Sequence, residues 1–177
     1  EGIYRHFMAV AEASPLPIII YNVPGRTAAN MNAETTLRLA EASERFLAVK
    51  EASGVMAQSM KILRDKPAHF QLWSGDDVLT LPLIACGATG VISVIANAWP
   101  AEFSGMVRAA RSGNWPEARR LNDLLLNIHP HLYTEGNPGG IKAVMEILGL
   151  CTKEVRLPLA PVSDSLTNIL RALMADI

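Results

Sequence analysis

Apolar positions along the chain follow two periods. Short apolar runs, bounded by proline, glycine or polar residues, occur in IIIYN (18–22), FLAVKEAS (46–53), FQLWSGDD (70–77) and GVISVIAN (90–97). Runs of this length, rich in β-branched and aromatic residues, read as strands. The first, flanked by Pro15-Leu16-Pro17 and Pro24-Gly25, reads as a strand buried on both faces, as in a parallel sheet covered by helices. Between these runs the period lengthens. EGIYRHFMAVAEAS opens the chain with Ile3, Phe7 and Val10 at helical spacing, so the chain begins in a helix already under way. NAETTLRLAEAS places Asn32 as an N-cap ahead of Leu37 and Ala40. MAQSMKILRDKP is a helix stopped by Pro67, and VLTLPLIACGA a short helix interrupted or kinked near Pro82. Strand and helix thus alternate with short connections, the signature of β-α units around a parallel sheet.

From Pro100 onward only the helical period remains. PAEFSGMVRAARSGNW starts on a proline suited to a first turn and ends at Ser112-Gly113-Asn114, a helix-to-helix turn. PEARRLNDLLLNIHPHL carries Ala118, Leu121, Leu125 and Ile128 on one face. A loop containing TEGNPGG leads into IKAVMEILGL. After a proline-rich connector a terminal helix carries Leu166, Ile169, Leu170, Leu173, Met174 and Ile177.

Composition narrows the class. The chain has 177 residues, is half apolar and carries a formal net charge of -1, which predicts one sizeable core and no disorder. No basic block or aromatic-interleaved basic stretch appears, which argues against nucleic acid. No apolar run is long enough to cross a bilayer. Cys86 and Cys151 have no close-spaced partner and read as free thiols of a reducing compartment. Any targeting segment would lie upstream of Glu1.

Each strand run ends in polar or small residues: Tyr21-Asn22, Lys50-Glu51, Ser74-Gly75-Asp76-Asp77 and Asn97. Polar groups gathered at the carboxyl ends of parallel strands line active sites. Lys50 directly follows Leu47-Ala48-Val49, and lysine is almost never buried without a reason. One reading is a strand-end lysine that reaches solvent or pairs with Glu51. The other is an amine held partly out of water, neutral enough to attack a carbonyl and form a Schiff base. The pair Asp76-Asp77 is placed to serve a helix N-terminus. His129 and His131 flank Pro130 at a spacing that does not put two imidazoles on one helical face, so no metal site is expected. His6 and His69 read as surface or interface residues.

YNVPGRT, VKEASG, WSGDD and GVISVIAN, in this order and at these separations, resemble the pyruvate-dependent class I aldolase-lyase superfamily, and within it the dihydrodipicolinate synthase family. The likeness extends through NPGGIKAVMEILGL and RLPLAPVSDS over the whole chain. It implies the α/β fold of the C-terminal half of a (β/α)8 barrel, four β-α units over residues 1–99, followed by C-terminal helices over 100–177. It implies that Lys50 forms the Schiff base with pyruvate and that the enamine attacks aspartate semialdehyde, a step of lysine and diaminopimelate biosynthesis. Tyr21 would be the central phenol of a proton relay. Arg26 would meet the semialdehyde carboxylate, the feature that separates the synthases from sialic-acid-type lyases. Gly75 and the backbone of Ile92 would border the pyruvate pocket. No metal and no cofactor beyond the covalent pyruvate imine on Lys50 is implied.

The same resemblance implies a cytoplasmic enzyme, a homotetramer at full length. It also implies that the first four strands, with the glycine-threonine stretch for the pyruvate carboxylate, a neighbouring subunit's tyrosine and most of the residues for lysine feedback, are not in this chain. The missing N-terminal half or a second copy of the chain is then expected as partner, and the chain alone is expected to show imine chemistry at best and no turnover. Two alternatives stand beside this reading: another pyruvate aldolase of the superfamily, or a non-catalytic assembly module. Asn137 and Lys142 resemble a family loop that packs over the barrel. Gly136 and Gly139-Gly140 stand where relatives more often have prolines, which leaves the stiffness of that loop open.

Overall fold

In the computed structural model, which describes residues 1–177, four β-α units build a parallel sheet. The strands Ile18–Asn22 (β1), Phe46–Glu51 (β2), Gln71–Ser74 (β3) and Gly90–Val91 (β4) lie in the order β1-β2-β3-β4. Helices Gly2–Ala13 (α1), Ala33–Ala42 (α3), Met56–Asp65 (α4) and Thr80–Ala85 (α5) precede or connect them, with a one-turn helix Pro24–Thr27 (α2) after β1. Asn32 caps α3 as its sequence position predicts, its side chain accepting from the Thr35 amide at 2.9 Å. Helix α4 ends at Asp65, two residues before Pro67.

One face of this sheet is packed. Ile20, Phe46, Val49 and Leu72 join Leu39, Ile62, Phe70 and Leu83 in a core whose members are almost fully buried. Burying each such side chain contributes about 1.5–3 kcal/mol. The other face is open: Ile19 and Tyr21 are 43% and 44% exposed. The expectation of a strand buried on both faces therefore fails. A β-branched run shows that a strand forms, and alternate residues point to opposite faces, but the run does not say how many of those faces are covered.

The pairing of β1 with β2 carries an irregularity. Ile18 pairs with Phe46 but Ile19 pairs with Ala48, so Leu47 is an extra residue on β2. Beyond it the register is regular, Tyr21 opposite Lys50 and Asn22 opposite Glu51. Lys50 in turn pairs with Trp73, and Trp73 with Gly90.

Three local expectations are corrected. The fourth strand run forms ladder only at Gly90–Val91; Ile92 adds one bond to the Ser74 carbonyl, and Ile95–Asn97 turns into a 3-10 helix. With a neighbour on one side only, the β-branched run holds a short ladder. Pro82 does not kink α5, because the helix starts at Thr80 and the proline falls in the first turn, where no intrahelical amide is required. Asp76 does not cap that helix either: its carboxylate accepts from the Val78 amide at 3.1 Å, in the turn ahead of it.

The chain divides into two compact units, Glu1–Ile92 and Ser93–Ile177. The second is helical: Pro100–Arg111 (α6), Trp115–Leu126 (α7), Gly139–Ile147 (α8) and Asp164–Leu173 (α9). Gly113, at φ 79°, makes the turn from α6, and Asn114 caps α7. Ala118, Leu121, Leu125 and Ile128 are buried as their spacing predicts. Of the apolar residues of the terminal helix, Leu166 and Leu170 are buried while Ile169 is 43% exposed. Gly139 and Gly140, at the start of α8, pack closely, a Cβ on Gly140 lying 2.7 Å from the Leu132 carbonyl carbon, whereas Gly136, at φ 99°, has open space around it. His129 is buried edge-on against Phe103, and Cys86 and Cys151 are free and exposed.

Candidate active site

The carboxyl ends of β1, β2 and β3 bring three of the predicted residues together. Tyr21 and Lys50 are register partners on the open face, and the Lys50 Nζ stands 4.1 Å from the centre of the Tyr21 ring. An ammonium over an aromatic face is attracted to it, which holds the long side chain beside the phenol. Lys50 does not pair with Glu51. Successive residues of a strand point to opposite faces, and Glu51 is buried on the packed side while Lys50 stays half-exposed.

Gly75 closes the site from β3. Its amide donates to the Glu51 carbonyl at 2.7 Å, and a Cβ at this position would lie 3.1 Å from the Lys50 Cγ and 2.7 Å from the Ala52 Cβ. The absence of a side chain is what lets the β3 end approach the lysine stem. Ile92, 42% exposed, continues β4 through its amide bond to Ser74.

Arg26 sits in α2, exposed and without an ion pair. The excursion that carries it is tied down by its neighbours. Thr27 Oγ1 donates to the Val23 and Ala29 carbonyls at 3.2 and 3.0 Å, and Ala28 adopts a left-handed conformation at φ 54°. The geometry thus gathers Lys50, Tyr21 and Gly75 and leaves Arg26 on an adjoining loop, with its guanidinium free for a carboxylate.

Behind Lys50 lies a polar cluster whose connections no spacing reveals. Glu51, 3% exposed, accepts from Asn22 Nδ2 (3.1 and 3.0 Å), Gln58 Nε2 (3.1 Å) and the Ser53 amide (2.7 Å). The only signal in the sequence is that Asn22 and Glu51 are polar residues at the ends of apolar runs.

The carboxylates with lowered pKa lie elsewhere. Glu1 is held at about 2 by the Arg38 guanidinium and then by Arg5, and Glu34 is lowered by Lys61. These are exposed helix groups. A cavity of about 480 Å3 lined by Tyr4, Arg5, Glu12 and Arg45 borders the residue just before β2, at the end of that strand remote from Lys50.

Parallel β-α units with polar side chains collected at the strand carboxyl ends define an α/β protein whose polar groups sit where this architecture places its sites. Within that class, the chain belongs to the dihydrodipicolinate synthetase family, whose model matches residues 1–177. It is 47% identical over 177 residues to the 4-hydroxy-tetrahydrodipicolinate synthase of Phocaeicola vulgatus, covering 100% of this chain and 60% of that relative. Among solved structures it resembles the dihydrodipicolinate synthase of Thermotoga maritima, with a TM-score of 0.96 and 32% identity over 99% of this chain and 60% of that one. It is similar also to the chloride-inhibited dihydrodipicolinate synthase of Acinetobacter baumannii complexed with pyruvate, with a TM-score of 0.94 and 35% identity over 99% and 60% of the two chains. The chain spans about 60% of the length of the relatives it matches.

Proposed function

We propose that this chain carries the Schiff-base half of a 4-hydroxy-tetrahydrodipicolinate synthase, a lyase that condenses pyruvate with aspartate semialdehyde. Its four strands are then the second half of a (β/α)8 barrel, and the helices of Ser93–Ile177 belong to the C-terminal domain. The observation that carries the reading is the register pair Tyr21–Lys50 on the open face, with the amine 4.1 Å from the phenol ring, in a chain of this family.

The neutral Lys50 amine adds to the ketone carbon of pyruvate, and loss of water gives the imine. Tyr21 is close enough to give and take the protons that these two steps move. Loss of a proton from the pyruvate methyl gives an enamine, whose carbon attacks the semialdehyde carbonyl while the aldehyde oxygen takes up a proton. Arg26 receives the semialdehyde carboxylate in a bidentate pair. Gly75 and the Ile92 backbone leave room for the imine beside Lys50. The chemistry runs on a covalent pyruvate imine and needs no metal.

The open face and the free edges of β1 and β4 are completed by polypeptide outside this chain, and the whole enzyme is a cytoplasmic homotetramer. No helix is long and apolar enough to cross a membrane. The test is reductive trapping. Pyruvate and borohydride added to the full-length enzyme yield a single mass adduct that peptide mapping places on Lys50; an adduct on another lysine, or none, refutes the assignment.

A further inference from the structure

Directly behind the Tyr21–Lys50 pair, Asn22 and Glu51 form the next register pair on the packed face. Glu51 is a buried carboxylate with no lysine or arginine beside it. Taking such a charge out of water is costly unless hydrogen bonds replace hydration. Here Asn22 Nδ2, Gln58 Nε2 and the Ser53 amide all donate to it, at 2.7–3.1 Å. A glutamine would fill the same volume at less cost, so the charge calls for a reason.

The reason lies in polarity. A carboxylate only accepts, so both amides must turn their nitrogens toward Glu51. That leaves their oxygens for other work. Asn22 Oδ1 accepts from the Met31 amide at 3.0 Å, and Gln58 Oε1 accepts from Asn30 Nδ2 at 3.0 Å. The nitrogens contribute as well: Asn22 Nδ2 also donates to Asn30 Oδ1 at 2.9 Å, and Gln58 Nε2 to the Met31 carbonyl at 3.2 Å. Asn30 and Met31 close the excursion 23–29 that carries Arg26. One carboxylate therefore fixes the ends of β1 and β2 and the return of the Arg26 loop.

We propose that Glu51 is a positioning residue that couples the imine-forming pair, Lys50 and Tyr21, to the loop that presents Arg26 to the second substrate. This rests on the function proposed above. In Glu51→Gln the new amide brings its own N–H groups against three donors. At least one neighbouring amide must flip, and a flipped Asn22 presents a donor to the Met31 N–H. The strand ends and the loop then lose their common anchor.

The experiment uses the full-length enzyme. Borohydride trapping at saturating pyruvate measures imine formation. A coupled reductase assay measures the KM for aspartate semialdehyde, and thermal melting gives the folded population. Misplacement of a reacting group by about 1 Å costs on the order of 10²-fold, and a partial loss of anchorage is expected to slow trapping about tenfold and to raise the semialdehyde KM about tenfold. Both must hold per folded molecule. Values within twofold of the unsubstituted enzyme, or losses wholly accounted for by a smaller folded fraction, overturn the inference.

Should Glu51→Gln fail to fold, Gln58→Leu decides. It removes one donor to the carboxylate and both contacts to Asn30 and Met31 while leaving Asn22 in place. The semialdehyde KM should then rise more than trapping falls, and an unchanged KM overturns the coupling. If the unsubstituted enzyme traps no pyruvate on Lys50, the underlying function is refuted, and this inference falls with it. If trapping is normal there and in both variants, only the inference fails.

Discussion

Gly75→Ala tests whether the close approach of β3 to Lys50 matters. A methyl group there meets the Ala52 Cβ at 2.7 Å, about 0.8 Å inside van der Waals contact. It also meets the Glu51 carbonyl oxygen and the Lys50 Cγ at 3.1 Å each. The strand end cannot easily retreat, because the Gly75 amide is held on the Glu51 carbonyl at 2.7 Å. Two of the three neighbours belong to the strand end itself, and the third is the lysine stem, which yields most readily. Overpacking of this kind costs typically 1–3 kcal/mol, or several degrees of melting temperature for a chain of about this size. The larger effect falls on chemistry. Displacing the stem by several tenths of an ångström carries Nζ off the Tyr21 ring and should slow pyruvate trapping by roughly ten- to a hundredfold. Trapping rates read by intact mass at timed borohydride quenches, alongside thermal melts, separate the two consequences. An alanine variant that melts and traps like the unsubstituted protein would show that Gly75 does not set the lysine position, and the reasoning would be wrong.

Other substitutions probe the remaining roles. Tyr21→Phe keeps the ring beneath Nζ but removes the phenol, so imine formation should slow by about 10²- to 10⁴-fold while melting is unaltered; equal rates would remove Tyr21 from the proton relay. Arg26→Ala should cripple turnover of aspartate semialdehyde in the full-length enzyme, by about 10²-fold, and spare pyruvate trapping; full turnover would point to a different aldehyde substrate. In the second unit, the Ser163 hydroxyl and amide hold the Glu135 carboxyl below its ordinary range. A carboxyl with a lowered pKa stabilises the fold above its unfolded value and loses that contribution as the pH falls. Glu135→Gln should therefore melt below the unsubstituted protein at pH 7, with the gap closing as the pH falls below the ordinary carboxyl range; a gap that persists in strong acid would argue against the ion as its source.

The strands and helices were legible where local chemistry decides them. The run IIIYN is short, β-branched and bounded by prolines, and Asn32 has the side chain an N-cap needs, so β1 and α3 fall where they were expected. GVISVIAN misled because its composition is that of a strand, whereas ladder formation depends on neighbours a sequence does not display. The open face was illegible for the same reason: burial of Ile20 and exposure of Ile19 differ only in what packs on each side. At the candidate site, Lys50 and Tyr21 stood out as polar residues ending apolar runs. The service of Glu51 to Asn22, Gln58 and the Arg26 loop did not, since it joins residues from four segments through side-chain orientation.

The extra residue in β2 has a consequence in counting. Tyr21 shares a side with Lys50 because Leu47 is left out of the pairing. Pair Leu47 with Ile19 instead, and Tyr21 would stand opposite Val49 and Asn22 opposite Lys50, turning the amine toward the buried apolar side chains of the helical layer. Deleting Leu47 removes the bulge and leaves Tyr21 opposite Lys50. The side on which the proposed nucleophile stands is thus set by whether Leu47 is counted into the ladder or left out of it, before any chemistry. Loss of Leu47 can therefore preserve the site, whereas a shift that draws Leu47 into the ladder cannot.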